Sequence, residues 1–222
     1  METEDLRIFR FLTMYSQQTF RIMKTLLIVL SLFSADQLFG QEEMYDICPL
    51  KNSESIPSAL VYSTTGEEID LKTSIGEKPV VLVFYRGGWC PYCMRHLSAL
   101  KEIKPQIDSL GFELIAITPD EFTHLDSSVT QVGGLDYQLF SDKNCNAIDA
   151  YGIGWKITDK LYTKYKEKYD MDIEWWTGTT DHILPVPSVF IIKDGIIRYQ
   201  HVDPQYKKRL SPEVLLSMLE SI

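Results

Sequence analysis

Two continuous apolar runs, separated by a helical pattern, stand out in the middle of the chain. Val80 to Tyr85 and Phe112 to Thr118 each have the length of one strand that is buried on both faces. Between them, apolar residues repeat at helical spacing from Leu97 to Leu110, and Gly111 provides a stop. Strand, helix and strand in this order predict a right-handed parallel crossover.

Shorter patterns on either side extend the predicted sheet. Apolar positions flank Thr65-Gly66 as a hairpin-like entry, and residues 137–140 predict a short strand. Residues 189–192 and 196–201 flank the turn Asp194-Gly195, which predicts an antiparallel hairpin. Ser211-Pro212 is a helix start before the last apolar positions. The sequence therefore predicts an α/β fold with a mixed sheet.

Residues 155–178 differ in kind from their surroundings, because they are rich in lysine and tyrosine and end near Trp175-Trp176. We interpret this segment as a helical insertion. Aromatic residues serve substrate grooves and core packing equally well, so the pattern leaves both roles open.

The N-terminal part predicts an export signal. Met23-Lys24 precedes an apolar run from Thr25 to Ala35, which is shorter than the about 20 residues that span a bilayer. We expect residues 1–40 to be an extension plus signal peptide, with the native start at Met23, because acidic residues open the first segment. The alternative is an uncleaved membrane anchor. Residues 41–56 would then lead into one domain over residues 57–222, in a periplasmic or other extracytoplasmic location.

The composition limits the domain count and the partners. A chain of 222 residues, of which 45% are hydrophobic, suffices for one well-packed domain. Its 22 cationic and 31 acidic residues give a net charge of −9. This acidity argues against nucleic acid as a partner.

The motif Cys90-Pro91-Tyr92-Cys93 stands where the first buried strand becomes a helix. Cysteines three positions apart on a first helical turn lie on one side of the helix, within reach of a disulfide. Free amides and the helix dipole stabilise a thiolate there, and Pro91 is tolerated in a first turn. We expect Cys90 to attack and the deeper Cys93 to resolve the mixed disulfide.

Three other interpretations of the motif compete with a redox-active pair. A zinc site needs a second ligand pair, whereas Cys48 and Cys145 are isolated, so we expect no metal and no cofactor beyond a redox-active Cys90-Cys93 disulfide. A structural disulfide across so small a loop would stabilise little. Buried inert thiols are disfavoured because residues 86–89 would make a poor core segment.

These residues resemble the thioredoxin-like superfamily, and within it the peroxiredoxin-like AhpC/TSA proteins. The resemblance rests on the stretch VVLVFYRGGWCPYCMRHLSAL over residues 80–100 and on Val186-Pro187 before the late strand and its Asp-Gly turn. It implies a thioredoxin-like fold, a central mixed sheet flanked by helices, with the insertion placed before a cis-proline strand. It also implies a cis peptide bond at Pro187 and backbone hydrogen bonds from Val186 to an extended substrate.

The sequence also departs from typical peroxiredoxins. Typical peroxiredoxins have a threonine or serine three positions before the peroxidatic cysteine and an arginine just before the late strand. If Cys93 aligns with the peroxidatic cysteine, these two positions hold Cys90 and Pro187 here. Arg86 is a candidate to supply the cation instead. We therefore expect an exported thiol-disulfide oxidoreductase, with a thiol-dependent hydroperoxide reductase and a non-catalytic thioredoxin-like binding module as alternatives.

The expected partners are protein or small-molecule disulfides, or hydroperoxides, together with an upstream thiol electron donor. The direction of electron flow stays open, because reduction potentials of related proteins span a wide range. The residues expected to shape the site or bind the substrate around the dithiol are Arg86, Trp89, Pro91, Tyr92, Val186 and Pro187. Two further cysteines are candidates for a resolving role: Cys48 and Cys145.

Overall fold

The structure is a computed structural model that describes residues Asp46 to Ile222. The predicted extension and signal peptide over residues 1–40, and the first part of the lead-in, lie outside the described residues. Within the described part, no helix is both long and apolar enough to cross a membrane.

The predicted crossover at the centre of the chain is confirmed. Strand β3 runs from Val80–Phe84, helix α2 from Pro91–Ser109 and strand β4 from Glu113–Thr118, and the two strands pair in parallel. Every residue of β3 is buried, as its unbroken apolar run predicts.

The remaining elements extend this unit on both sides. They are β1 (Leu60–Tyr62), β2 (Glu68–Asp70), α1 (Leu71–Ile75), a 3₁₀ turn (Phe122–His124), α3 (Leu125–Gln131), β5 (Gln138–Ser141), α4 (Asn146–Ala150), β6 (Gly154–Lys156), α5 (Asp159–Tyr169), α6 (Ile173–Thr177), β7 (Ile183–Pro185), β8 (Ser188–Lys193), β9 (Ile196–Val202) and α7 (Pro212–Ser221). Among the described residues, seven strands form one mixed sheet in the order β2-β1-β5-β4-β3-β8-β9. Strand β8 lies antiparallel to β3, and the predicted β8–β9 hairpin at Asp194-Gly195 is confirmed.

The sheet separates two layers of core. On one face, Val81 and Val83 of β3 pack with apolar residues of α2 and α7, such as Leu97 and Leu215. On the other face, Val80, Leu82 and Phe84 pack with residues of α1 and α4. Neighbouring residues of a strand point to opposite faces of the sheet. Val81 and Val83 therefore face the layer that contains α2, and the dithiol lies on that side.

The predicted insertion is helical, and it consists of α5 and α6. Strand β6 at its start pairs with β7, which follows its end, in a small two-stranded sheet that the sequence patterns did not indicate. The three-residue strands of this sheet are too short to show an alternating pattern.

The expected cis peptide bond at Pro187 is wrong, since the described residues contain no cis peptide bond. Pro187 lies between β7, which pairs with β6, and β8, which pairs with β3. The trans bond is the ordinary state of an X-Pro link, and here it carries the chain between two extended segments.

Candidate active site

The dithiol lies at the carboxyl end of β3, where the sequence predicts it. Cys90 is the N-cap residue of α2 and Pro91 is its first helical residue. The Cys93 amide donates to the Cys90 carbonyl oxygen over 3.0 Å, and both cysteines are free thiols. Cys90 is 2% exposed and Cys93 is fully buried, so Cys93 is the deeper sulfur, as predicted.

The two sulfurs differ strongly in acidity. The hydrogen bond from the Cys93 thiol is the largest cause that lowers the Cys90 pKa to about 6; burial opposes it, and the charge of Arg86 adds to it. Burial and the neighbouring Cys90 raise the pKa of Cys93 well above that of an ordinary thiol. Cys90 is therefore the sulfur of the pair that ionises at the lower pH.

Arg86 is a buried cation beside this thiolate, with only 2% of its surface exposed. Its Nη2 donates to the Tyr165 hydroxyl over 2.8 Å, and its guanidinium lies 4.9 Å from the centre of the Trp89 ring and 4.7 Å from that of Tyr206. Within residues 46–222 it forms no ion pair with a carboxylate. A buried charge needs an opposite charge to offset its desolvation, and the Cys90 thiolate supplies it.

A buried carboxyl group, Asp120, lies behind the dithiol and was missed in the sequence analysis. Its Oδ2 accepts from the Gly88 amide over 2.7 Å, and burial raises its pKa to about 8. A Cβ at Gly87, whose φ is +148°, would lie 2.1 Å from the Trp89 indole nitrogen and 2.7 Å from Asp120 Oδ1. Only glycine fits that position. The sequence did contain a signal for Asp120 as a site residue. It follows β4, and the parallel strands β3 and β4 end at the same edge of the sheet.

Arg209 is a second cation at the site. Its Nη2 donates to Cys93 Sγ over 3.4 Å. The sequence patterns did not single out this residue. No local pattern connects a residue before α7 with a thiol more than a hundred positions earlier.

The expectation that residues 86–89 avoid the core is also wrong, because all four are buried. Trp89 packs against Tyr165, with ring centres 5.8 Å apart. Tyr92 packs edge-to-face on Tyr206 at 5.8 Å, and Pro91 is exposed at the start of the helix. The structure brings these predicted site residues together around Cys90, and the insertion contributes Tyr165.

Val186 and Pro187 follow the insertion at the start of β8. Val186 is fully buried, its amide donates to the Ile153 carbonyl over 2.8 Å, and its carbonyl accepts from the Ser188 hydroxyl over 2.6 Å. Its backbone groups are therefore engaged within the protein, contrary to the expectation that they bind an extended substrate.

The structure does not bring Cys48 or Cys145 to the dithiol. Cys145 packs on the opposite face of the sheet, and burial raises its pKa to about 12. Cys48 is exposed, and its carbonyl lies close to Gly152, after α4. Among residues 46–222, no group of three or more histidine, cysteine or acidic side chains is arranged to bind a metal ion.

We expect the alkylation rate of Cys90 to rise with pH through an inflection near 6, where its thiolate forms. Arg86→Gln removes the cation and moves this inflection upward, whereas Arg86→Lys keeps the charge and moves it less. The measurement is iodoacetamide labelling of the reduced protein at a series of pH values, read by mass spectrometry of the Cys90 peptide. An inflection near the ordinary thiol value of about 8.5 in the unmodified protein contradicts this assignment. A Cys90 that resists alkylation at every pH would favour the binding-module alternative.

Comparison with known proteins supports the same assignment of fold and family. The thiol-disulfide oxidoreductase ResA of Bacillus thuringiensis strain Al Hakam is 27% identical over 155 residues, which cover 69% of this chain and 71% of the relative. ResA of Halalkalibacterium halodurans is 32% identical over 102 residues, which cover 46% and 57% of the two chains. The crystal structure of reduced Prx3 from Vibrio vulnificus shares the fold, with a TM-score of 0.63 at 14% identity, and covers 77% of this chain and 99% of that one.

The sequence profile of the AhpC/TSA family matches residues 53–200, which form most of the described structure and include the dithiol, Arg86, Asp120 and the insertion. The chain therefore belongs to the AhpC/TSA family.

Proposed function

We propose that this protein is a thiol-disulfide oxidoreductase in which Cys90 attacks a disulfide and Cys93 closes the ring. The observation that carries this proposal is the asymmetry of the two sulfurs. Cys90 borders a cavity beside a buried cation, whereas Cys93 is fully buried behind it and hydrogen-bonds to it. One sulfur is thus prepared for attack, and the other is protected until a mixed disulfide forms.

The curated relatives named as thiol-disulfide oxidoreductases support this function. A thiol donor must return the Cys90-Cys93 disulfide to the dithiol after each turnover, and redox titration of the purified protein against a dithiothreitol couple would give the direction of net electron flow. The proposal includes a location outside the cytoplasm, which rests on the signal-like segment Met23 to Gly40.

Hydroperoxide reduction is the second candidate. Arg86 favours it, because its Nε has no hydrogen-bond partner among the described residues and its charge lies beside the nucleophile. In that reaction the Cys90 thiolate attacks the terminal oxygen, the O–O bond breaks, and with one proton from water the products are a Cys90 sulfenic acid and an alcohol, or water from hydrogen peroxide. Cys93 then displaces water and forms the same disulfide.

Stopped-flow oxidation of the reduced protein separates the two candidates. We expect hydroxyethyl disulfide to oxidise the dithiol faster than it oxidises a free thiolate, and insulin to be reduced when dithiothreitol is supplied. Hydrogen peroxide and cumene hydroperoxide should be consumed no faster than by free cysteine. Fast peroxide consumption together with slow disulfide exchange would reverse the order of the candidates.

A further inference from the structure

The cavity at Cys90 has the size of a small-molecule site. Its volume is about 340 Å³, at the lower end of ligand pockets. The start of α2, the insertion helix α5 and the segment Tyr206-Lys207 enclose it. Tyrosine and tryptophan side chains form much of its wall, including Tyr165 and Trp89.

The charge of the cavity is opposite to that of the whole chain. Arg86, Lys164 and Lys207 line it, and none of its lining side chains is a carboxylate. Within the described range, neither lysine pairs with a carboxylate, and Lys207 lies 5.9 Å from the ring centre of Tyr206. A local cluster of cations on a chain with net charge −9 attracts anions to one place.

The backbone of Val186, which the family resemblance implies would bind an extended substrate, is engaged within the protein. Binding of a peptide strand requires free amide and carbonyl groups at an edge. At Val186 both groups are used by Ile153 and Ser188, and the residue is fully buried. This argues against strand-like binding at Val186, and a cavity of about 340 Å³ at Cys90 suits a compact molecule.

From the size and charge of the cavity and the engaged backbone of Val186, we propose that the substrate is a small disulfide that carries carboxylates, held by Lys164 and Lys207 with its sulfur at Cys90. This inference deepens the proposed oxidoreductase function and depends on it. The Cys90 thiolate forms a bond to one substrate sulfur, the substrate disulfide breaks, and one thiolate leaves. Cys93 then loses its proton to the departing thiolate, attacks Cys90 and releases the second half. The protein dithiol gives up two electrons, and the substrate becomes two thiols once the second thiolate takes a proton from water.

Three alkyl disulfides that differ chiefly in charge test the proposal. They are 3,3′-dithiodipropionate with two negative charges, neutral hydroxyethyl disulfide and cystamine with two positive charges. The reduced full-length protein is mixed with each one, its oxidation is followed by Trp fluorescence, and each rate is divided by the rate for a free thiol of known pKa. We expect the normalised rate to fall in the order anionic, neutral, cationic, and the preference to weaken with added salt.

The variant Lys164→Gln/Lys207→Gln should lower the preference for the anionic disulfide about fivefold to tenfold, as the loss of two exposed charge pairs would. The matched control is Lys160→Gln/Lys208→Gln, which removes two exposed lysines from the same elements outside the cavity and changes the net charge equally. The control should leave the preference unchanged.

Two outcomes overturn the inference in distinguishable ways. Rapid oxidation by all three disulfides with equal normalised rates, or an equal effect of both double variants, would reject the charge-selective site and leave the oxidoreductase function intact. Oxidation by none of them above the free-thiol rate would reject both.

Discussion

Cys90→Ser should reduce disulfide exchange to the uncatalysed rate, a loss of at least about a thousandfold if the thiolate is the only nucleophile, because a serine hydroxyl is not ionised near neutral pH. The measurement is the reduction of hydroxyethyl disulfide and of insulin by the variant in the presence of dithiothreitol. Cys90 is the N-cap of α2 without a side-chain capping bond, so serine should be accepted there with little loss of stability.

Cys145→Ser and Cys48→Ser are the matched controls for this loss. Cys145 lies across the sheet from the dithiol with a pKa raised to about 12, and Cys48 is exposed near Gly152. Both variants should keep the activity of the unmodified protein. An active Cys90→Ser variant, or an inactive Cys145→Ser variant that remains folded, would contradict the assignment of the nucleophile.

Cys93→Ala should stop the reaction after the first step. The variant can form the mixed disulfide at Cys90 but has no neighbouring sulfur to release it, so turnover falls to the rate at which external thiols clear the adduct. Mass spectrometry should show one substrate half bound to Cys90 in nearly every molecule. Turnover without adduct would mean that another cysteine resolves the intermediate, and adding Cys145→Ser or Cys48→Ser would identify it.

A second readout separates the two roles of Cys93. Its thiol donates the hydrogen bond that contributes most to the low pKa of Cys90. Cys93→Ala should therefore move the inflection of Cys90 alkylation above pH 6, whereas Cys93→Ser retains a donor and should move it less. Both variants lose resolution equally.

Local patterns predicted the elements that carry the dithiol. The unbroken apolar run of β3, the helical repeat of α2 and the Asp194-Gly195 turn each depend on neighbours in sequence, and each is confirmed. The position of Cys90 at the start of a helix followed from the same patterns.

The residues that surround the dithiol could not be predicted as well from the sequence, because they are brought there by contacts between distant segments. Arg209 reaches Cys93 from the segment before α7, and Tyr165 reaches Arg86 from the insertion. Burial of Arg86 was equally hidden, since a charged residue is normally exposed unless a distant partner offsets it. The peptide bond at Pro187 was inferred from resemblance alone, and there the chain differs.

The buried guanidinium of Arg86 connects the redox state to the energy of the fold. When Cys90 and Cys93 join, the anion beside Arg86 disappears, and within residues 46–222 no carboxylate pairs with that cation. Oxidation thus leaves a buried positive charge without an opposite charge beside it, which makes the folded disulfide form less stable than the folded dithiol form. Compared with a protein that lacks this cation, the reduced state is favoured, so the residue beside the thiolate also raises the reduction potential of the couple.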